Sequence, residues 1–281
     1  MKNIAILITC HNRREQTIKS LTSLFSCYLP INYLLEIFLV DDGSTDGTSE
    51  QVNKEFPNVK VIKGSGNLFW NQGMRLAWNT AIQKGDYDFY IWLNDDTMLN
   101  ENAIDHLLVC YSEVLTNTGK SAIITGACME SKEEQVFSYG GKTDEKNVEP
   151  NGSIQQCKYI NGNIVLIPQE IFNEIGVLSS DYTHGMGDYD YGLQAHHKGF
   201  PCYTTKIYVA TCPTNKGIPA WCNPKKSIKE RFIAFYSPRG LNVKEYVIFR
   251  KKFWPYTWVF FAFKAYFKMF FPMFYSKISQ K

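Results

Sequence analysis

Two pairs of adjacent carboxylates, Asp41-Asp42 and Asp95-Asp96, carry the most visible chemistry of this chain. Each follows a short apolar run, Phe38-Leu39-Val40 in one case and Tyr90-Ile91-Trp92-Leu93-Asn94 in the other, and so reads as the carboxyl end of a strand. In an open α/β sheet, ligands bind in the crevice beyond the carboxyl ends of the strands, which would bring both pairs into one site. Adjacent like charges repel, and a cluster of four Asp is tolerated cheaply only against a divalent cation, sugar hydroxyls or base N–H groups. The pattern predicts a site for a metal and a nucleotide.

The elements that must hold these residues follow from periodicity. Ile4–Thr9, Glu36–Asp41, Val59–Lys63, Phe89–Leu93 and Ala122–Ala127 read as strands, separated by helical patterns through Ile18 to Tyr28, Thr48 to Phe56, Met74 to Ile82 and Ile104 to Leu115. That alternation argues for a parallel sheet with crossover helices. After Cys128 the rhythm changes: a turn at Tyr139-Gly140-Gly141-Lys142, a polar loop from Asp144 to Ser153, strands at Gln155–Tyr159 and Ile164–Ile167 around Asn161-Gly162-Asn163, and a helix at Gln169–Ile175 stopped by Gly176.

Thr9-Cys10-His11-Asn12-Arg13 follows the first strand at the same sheet edge as the Asp pairs; alone, it reads as a polar turn with Asn12 near a helix cap. Taken with Val40-Asp41-Asp42-Gly43-Ser44-Thr45-Asp46-Gly47-Thr48 and Asn94-Asp95-Asp96, it resembles the nucleotide-binding half of family 2 glycosyltransferases, which have the GT-A fold. The resemblance implies that Thr9 and Asp42 flank the nucleobase, that Asp95 contacts the ribose, and that Asp96 ligates Mn²⁺ or Mg²⁺. Asn12, Arg13, Asp41 and Asn67 fall among the substrate-binding residues by the same likeness.

Gly64-Ser65-Gly66 lacks the third glycine and the acidic ribose reader of a dinucleotide fingerprint, so that reading is rejected. Asn67 to Arg75 instead resembles a shortened form of the family's N-x-G loop, with Arg75 either near the donor or a solvated helix residue. Gly185 to Phe200 is similar to the family's E-D-x-D segment. In that register Asp188 falls on the base that deprotonates the acceptor hydroxyl, Asp190 on its neighbour, and Gly187 and Gln194 replace the usual Glu and Arg. Asn161-Gly162-Asn163 matches the family's segment beneath the donor sugar. The family's metal-completing His is absent from Ala210–Asn215, where Cys212 stands, which leaves a third protein ligand undetermined. Adjacent His196 and His197 point to different helix faces, which argues against zinc.

Composition is that of an ordinary globular protein: 281 residues, 44% hydrophobic and 20% charged, enough for one large domain or two small ones. Eight cysteines without a C-x-x-C pair read as reduced thiols of a cytoplasmic protein, and the N-terminal apolar run is too short for a signal peptide. From Lys244 to Lys281 the net charge is +7, leaving −4 on the rest of a chain of net +3. Between Phe253 and Tyr275, 13 of 23 residues are aromatic, and Phe260, Phe263, Phe267, Phe270 and Phe274 recur at helical spacing. Lys264, Lys268, Pro255 and Pro272 disfavour a spanning helix, which needs about 20 apolar residues. A basic amphipathic helix in the membrane interface over residues 250–275 fits, against the alternative of packing on the catalytic domain or in a dimer.

The expected organisation is a GT-A catalytic domain over residues 1–243, its nucleotide-binding half about 1–127 and its acceptor half about 128–243, with the tail at 244–281. The implied activity is an inverting transfer of a hexosyl or deoxyhexosyl unit from a nucleoside diphosphate sugar to a saccharide or lipid-linked saccharide acceptor in surface polysaccharide synthesis. No nucleic-acid partner is expected. The alternatives are a sugar nucleotidyltransferase, which should open with a Gly- and Arg-rich phosphate loop, and a non-catalytic nucleotide-sugar sensor.

Overall fold

The computed structural model describes residues 1–215 and 217–274; Tyr275, Lys277 and Lys281 of the tail lie outside them. The chain divides into two compact units, Met1–Ser179 with Asp188–Thr214, and Ser180–Gly187 with Asn215–Lys281.

In the first unit, β1 (Lys2–Cys10), α1 (Arg14–Phe25), β2 (Tyr33–Asp41), α2 (Thr48–Glu55), β3 (Val59–Lys63), α3 (Phe69–Lys84) and β4 (Phe89–Leu93) alternate. Then come β5 (Met98–Leu99), α4 (Ala103–Thr118), β6 (Ile123–Met129), β7 (Phe137–Tyr139), β8 (Gln155–Cys157), β9 (Ile164–Pro168), α5 (Gln169–Ile175), α6 (Gly187–His197) and β10 (Cys202–Thr211). Strand order is β3-β2-β1-β4-β9-β6-β10-β5, with β7 on β6 and β8 on β10.

β1 is buried without interruption from Ile4 to Cys10, as a strand covered on both faces must be. Because successive side chains point to opposite faces, Ile4, Ile6 and Ile8 pack with Leu21, Leu24, Ile104 and Leu107, while Ala5 and Leu7 pack with Met74, Ala77, Trp78 and Ala81 of α3.

The expected parallel order holds for β3, β2, β1 and β4. It then breaks: β9 lies antiparallel between β4 and β6. The chain leaving β4 first pairs through β5 with β10, so α4 delivers β6 two places away. The all-apolar, fully buried Ile164–Ile167 fills the slot between them. β10 lies outside the strands expected from sequence: its apolar Ile207-Tyr208-Val209-Ala210 follows Thr204, Thr205 and Lys206, which break the pattern in its first half.

The helix expected from Met74 begins five residues earlier, at Phe69. Phe69, Trp70 and Asn71 join its first turn because the orphan N–H groups there find an acceptor from a distant residue, described below.

The second unit contains α7 (Ile228–Tyr236), α8 (Val243–Phe253) and α9 (Trp258–Phe270). α7 opens with a capping box in which Ser227 Oγ accepts the Glu230 N–H and the Glu230 carboxylate accepts the Ser227 N–H. Phe235, Val243, Ala265 and Met269 form its core. α8 stops before Pro255 and α9 before Pro272, residues that cannot continue a helix. No helix among the described residues is long and apolar enough to cross a membrane.

α3 meets β1 at Gly73, where an added Cβ would come within 2.9 Å of Thr9 Cβ. Gly73→Ala should therefore push helix from sheet and cost about 1–3 kcal/mol; urea denaturation monitored by circular dichroism measures the loss.

Candidate active site

The two Asp pairs do lie at strand ends, but they meet different partners. Asp41 is buried and serves the turn into α2: its carboxylate accepts the Ser44 N–H at 2.9 Å and the Ser49 hydroxyl. Asp42, equally buried, accepts three backbone N–H groups, from Gly66 (2.7 Å), Leu68 (2.8 Å) and Phe69 (3.0 Å). It thus caps α3 from across the sheet, at the positive end of the helix dipole. The same contacts hold Phe69 in the left-handed region, φ 55°. Oδ2 takes two of these bonds and Oδ1 one, which leaves Oδ1 acceptor capacity. His11 donates its Nδ1–H to the Asp42 backbone carbonyl at 2.6 Å, tying the Thr9–Arg13 segment to the end of β2.

Asp95 and Asp96 leave the end of β4 with a different partner. Arg13 Nη1 lies 2.5 Å from Asp96 Oδ2 and 3.3 Å from Asp95 Oδ1. Burial pushes the Asp95 carboxyl up to about 7, against the pull of Arg13 and with the push of Asp96. Asp96 is about a third exposed. The Cys212 thiol donates to Asp96 Oδ1 at 3.7 Å and accepts the Asn163 amide at 3.0 Å. Burial, then Asp96, drive that thiol up to about 12, so it stays protonated.

Among the described residues no group of three or more His, Cys, Asp or Glu could hold a metal by itself. Two carboxylates at a strand end fit a hard cation such as Mg²⁺ or Mn²⁺, which is held by one or two carboxylates and completed by phosphate oxygens and water; they do not fit a closed zinc site.

Because β9 pairs antiparallel with β4, the segment Asn161-Gly162-Asn163 that precedes β9 meets the segment that leaves β4. The Asn94 N–H donates to the Asn163 carbonyl at 2.9 Å. Trp70 Nε1–H donates to Asn94 Oδ1 at 2.7 Å, and its ring lies so close over Gly162 that any side chain there would collide. The Gly162 N–H in turn donates to Asp188 Oδ2 at 3.1 Å, while the Tyr189 N–H donates to Oδ1 at 2.8 Å. A run of contacts links the Asn94-Asp95-Asp96 segment to Asp188. Burial raises the Asp188 carboxyl above its ordinary range, and the two N–H groups and Lys142 pull it back.

The remaining residues fall into distinct places. Thr9 is buried against α3 and Asn161 is half-buried at the mouth of β9. Asn67 is exposed, and Asn12, also exposed, accepts the Thr45 N–H at 2.8 Å. Arg75 is neither solvated nor free: it donates to the Leu178 carbonyl. Asp190 is fully buried and accepts the Gln194 amide at 2.5 Å, so Gln194 serves this carboxylate from one helical turn away. His196 bonds the Cys157 carbonyl. All eight cysteines are free thiols. Sequence reading left Trp70 open as packing and missed the link through Asn94 and Lys142; only the crowded Gly162 hints at a bulky neighbour.

A mixed sheet with helices on both faces and carboxylates at the ends of its parallel strands is the GT-A arrangement of glycosyltransferases. Residues 5–113 match the model of Glycosyl transferase family 2. Over 105 residues it is 29% identical to a poly-beta-1,6-N-acetyl-D-glucosamine synthase of Staphylococcus epidermidis, 37% of this chain and 24% of the synthase. The corresponding Staphylococcus aureus protein is 30% identical over 104 residues, with the same shares. The match thus covers about a quarter of these relatives' length. Among solved structures, a mannosyltransferase from Pyrobaculum calidifontis in complex with GDP-Man and Mn²⁺ superposes with a TM-score of 0.56 at 15% identity, covering 87% of this chain and 63% of that one. S. aureus TarS 1-349 in complex with UDP gives 0.54 at 14% identity, covering 75% and 60%. Both have the same fold.

Asp42→Asn keeps the volume but turns an amide group toward three N–H donors. It should cost about 2 kcal/mol or more, and hydrogen exchange at the Gly66, Leu68 and Phe69 amides should accelerate in step with the loss measured by denaturation.

Proposed function

We propose that this chain is an inverting glycosyltransferase that moves a hexosyl or deoxyhexosyl unit from a nucleoside diphosphate sugar to a saccharide acceptor during surface polysaccharide synthesis. The observation that carries the reading is the run of contacts from Asp95-Asp96 through Asn94, Trp70 and Gly162 to Asp188. It holds a nucleotide-type carboxylate pair and a separate carboxylate base on one rigid frame. The family match, and structural relatives that carry GDP-Man with Mn²⁺ or UDP, support the same reading.

In this scheme Thr9 and the remaining Oδ1 lone pair of Asp42 receive the base, and Asp95 receives a ribose hydroxyl. Asp96 would hold a divalent cation, which would supply neutralising charge to the leaving diphosphate. Asp188 accepts the proton of the acceptor hydroxyl as that oxygen attacks the anomeric carbon from the face opposite the leaving group. Burial strengthens Asp188 as a base, and the Gly162 and Tyr189 N–H groups hold its oxygens in place. The nucleotidyltransferase alternative lacks its Gly- and Arg-rich loop at Thr9–Arg13.

The acceptor is proposed to be presented at a membrane. α9 has two faces: Ala265 and Met269 are in the core, while Phe260 and Phe263 are 65% and 67% exposed, and Phe270, Phe271 and Phe274 are exposed beside them. Arg250 lies over the rings of Phe261 (4.1 Å) and Trp254 (4.7 Å), which fixes α8 against α9. The exposed aromatic stripe, with Lys251, Lys252 and Lys264 in the same two helices, suits the headgroup region of an anionic leaflet.

With Mn²⁺ present, one member of a panel of nucleoside diphosphate sugars should raise the melting temperature in proportion to its affinity. Asp188→Asn should keep that shift and reduce transfer by about 10² to 10⁴. A crippled Asp190→Asn beside a near-normal Asp188→Asn would move the base to Asp190, and normal transfer by both would favour the sensor.

The full-length chain should sediment with vesicles containing phosphatidylglycerol and be partly released by salt, whereas Phe260→Ser with Phe263→Ser should release it without changing the donor-induced melting shift. Indifference of the unmodified chain to such vesicles would contradict membrane presentation.

A further inference from the structure

Asp95 and Asp96 are adjacent, and Asp95 is almost wholly buried. Two carboxylates that are both ionised in such a place require a cation nearby whether or not a ligand is bound. Arg13 supplies it, with one guanidinium nitrogen within reach of both residues. The pairing occupies Asp96 Oδ2 at 2.5 Å, on the carboxylate a divalent ion would use. Metal and guanidinium therefore compete for one position.

The backbone beneath Arg13 is fixed. Asn12 is held in the left-handed region, φ 50°, by its N–H to Ser44 Oγ (2.9 Å) and by the Thr45 N–H to its own Oδ1 (2.8 Å). The Arg13 carbonyl accepts the Thr17 N–H at 2.9 Å and so joins α1. Its side chain, by contrast, is 48% exposed, a long flexible arm on a rigid mount. A guanidinium released from carboxylates binds phosphate oxygens equally well, in the same fork geometry.

We propose that Arg13 is a stand-in cation: it neutralises Asp95 and Asp96 in the resting protein and passes from them to the donor's diphosphate when a divalent ion takes its place. This rests on the metal-dependent donor binding proposed above and adds its order. The carboxylate pair binds metal weakly while Arg13 covers it. A nucleoside diphosphate draws Arg13 away and so strengthens metal binding, and by reciprocity the metal strengthens nucleotide binding by the same factor.

The test is Mn²⁺ binding, followed by the electron paramagnetic resonance signal of free Mn²⁺, to the full chain and to Arg13→Gln and Arg13→Lys, each alone and with UDP or GDP. Without nucleotide, Arg13→Gln should bind Mn²⁺ roughly tenfold more tightly than the unmodified chain, while Arg13→Lys, which keeps the charge, should stay close to it. Nucleotide should tighten Mn²⁺ binding by the unmodified chain about tenfold and by Arg13→Gln much less. Equal Mn²⁺ affinities for the unmodified chain and Arg13→Gln without nucleotide, with nucleotide tightening both alike, would overturn the stand-in role and leave metal dependence intact. Failure of the unmodified chain to bind Mn²⁺ even with both nucleotides would overturn the metal reading itself and this inference with it.

Discussion

The antiparallel insertion of β9 beside β4 is the constraint on which the rest of the site depends. A purely parallel neighbour would begin at the far edge of the sheet from the end of β4. An antiparallel one begins where β4 ends, so Asn163 can accept the Asn94 N–H and Gly162 can sit beneath Trp70. From there one further hydrogen bond reaches Asp188. The segment that leaves β4 and Asp188 are thus fixed to each other through short contacts, which would hold the two proposed tasks, binding a nucleotide and taking a proton, in a set geometry.

The chain uses the same dipeptide in two electrostatic ways. Asp41-Asp42 is neutralised by N–H and O–H donors of its own fold, most of them backbone, and so builds the start of α2 and α3. Asp95-Asp96 meets a flexible cation. The first arrangement is permanent, because backbone donors cannot leave without unfolding the loop. The second is exchangeable, because a half-exposed guanidinium can be replaced by another positive charge. Burial that raises the Asp95 carboxyl to about 7 makes the identity of that cation matter.

The helical second unit solves a different problem. Its small core of Phe235, Val243, Ala265 and Met269 is supplemented by Arg250 set among aromatic rings, a cation–π arrangement that orders α8 and α9 while leaving the opposite face of α9 uncovered. An aromatic face left outward costs solubility, so its presence points to contact with something other than water.

The nearly continuous apolar runs of β1 and β4, the helical stripes between the early strands and the Asp pairs at strand ends were legible from residue order alone, because strand and helix periodicities are local and β1 to β4 pair as nearest parallel neighbours or next to them. The aromatic spacing of α9 was legible for the same reason, but its bounds were not: the helix expected over residues 250–275 is two helices, α8 ending at Phe253 and α9 running from Trp258 to Phe270. The place of β9 was not, since which edge a four-residue apolar run fills depends on where α4 and β5 leave the chain. Nor was the early start of α3, whose first N–H groups are satisfied by Asp42 from 24 to 27 residues away. The sequence by itself determined that four Asp residues would gather at one sheet edge. Tertiary structure alone decided which pair is consumed by backbone donors and which stays open to an exchangeable cation, because that depends on partners brought together from distant parts of the chain.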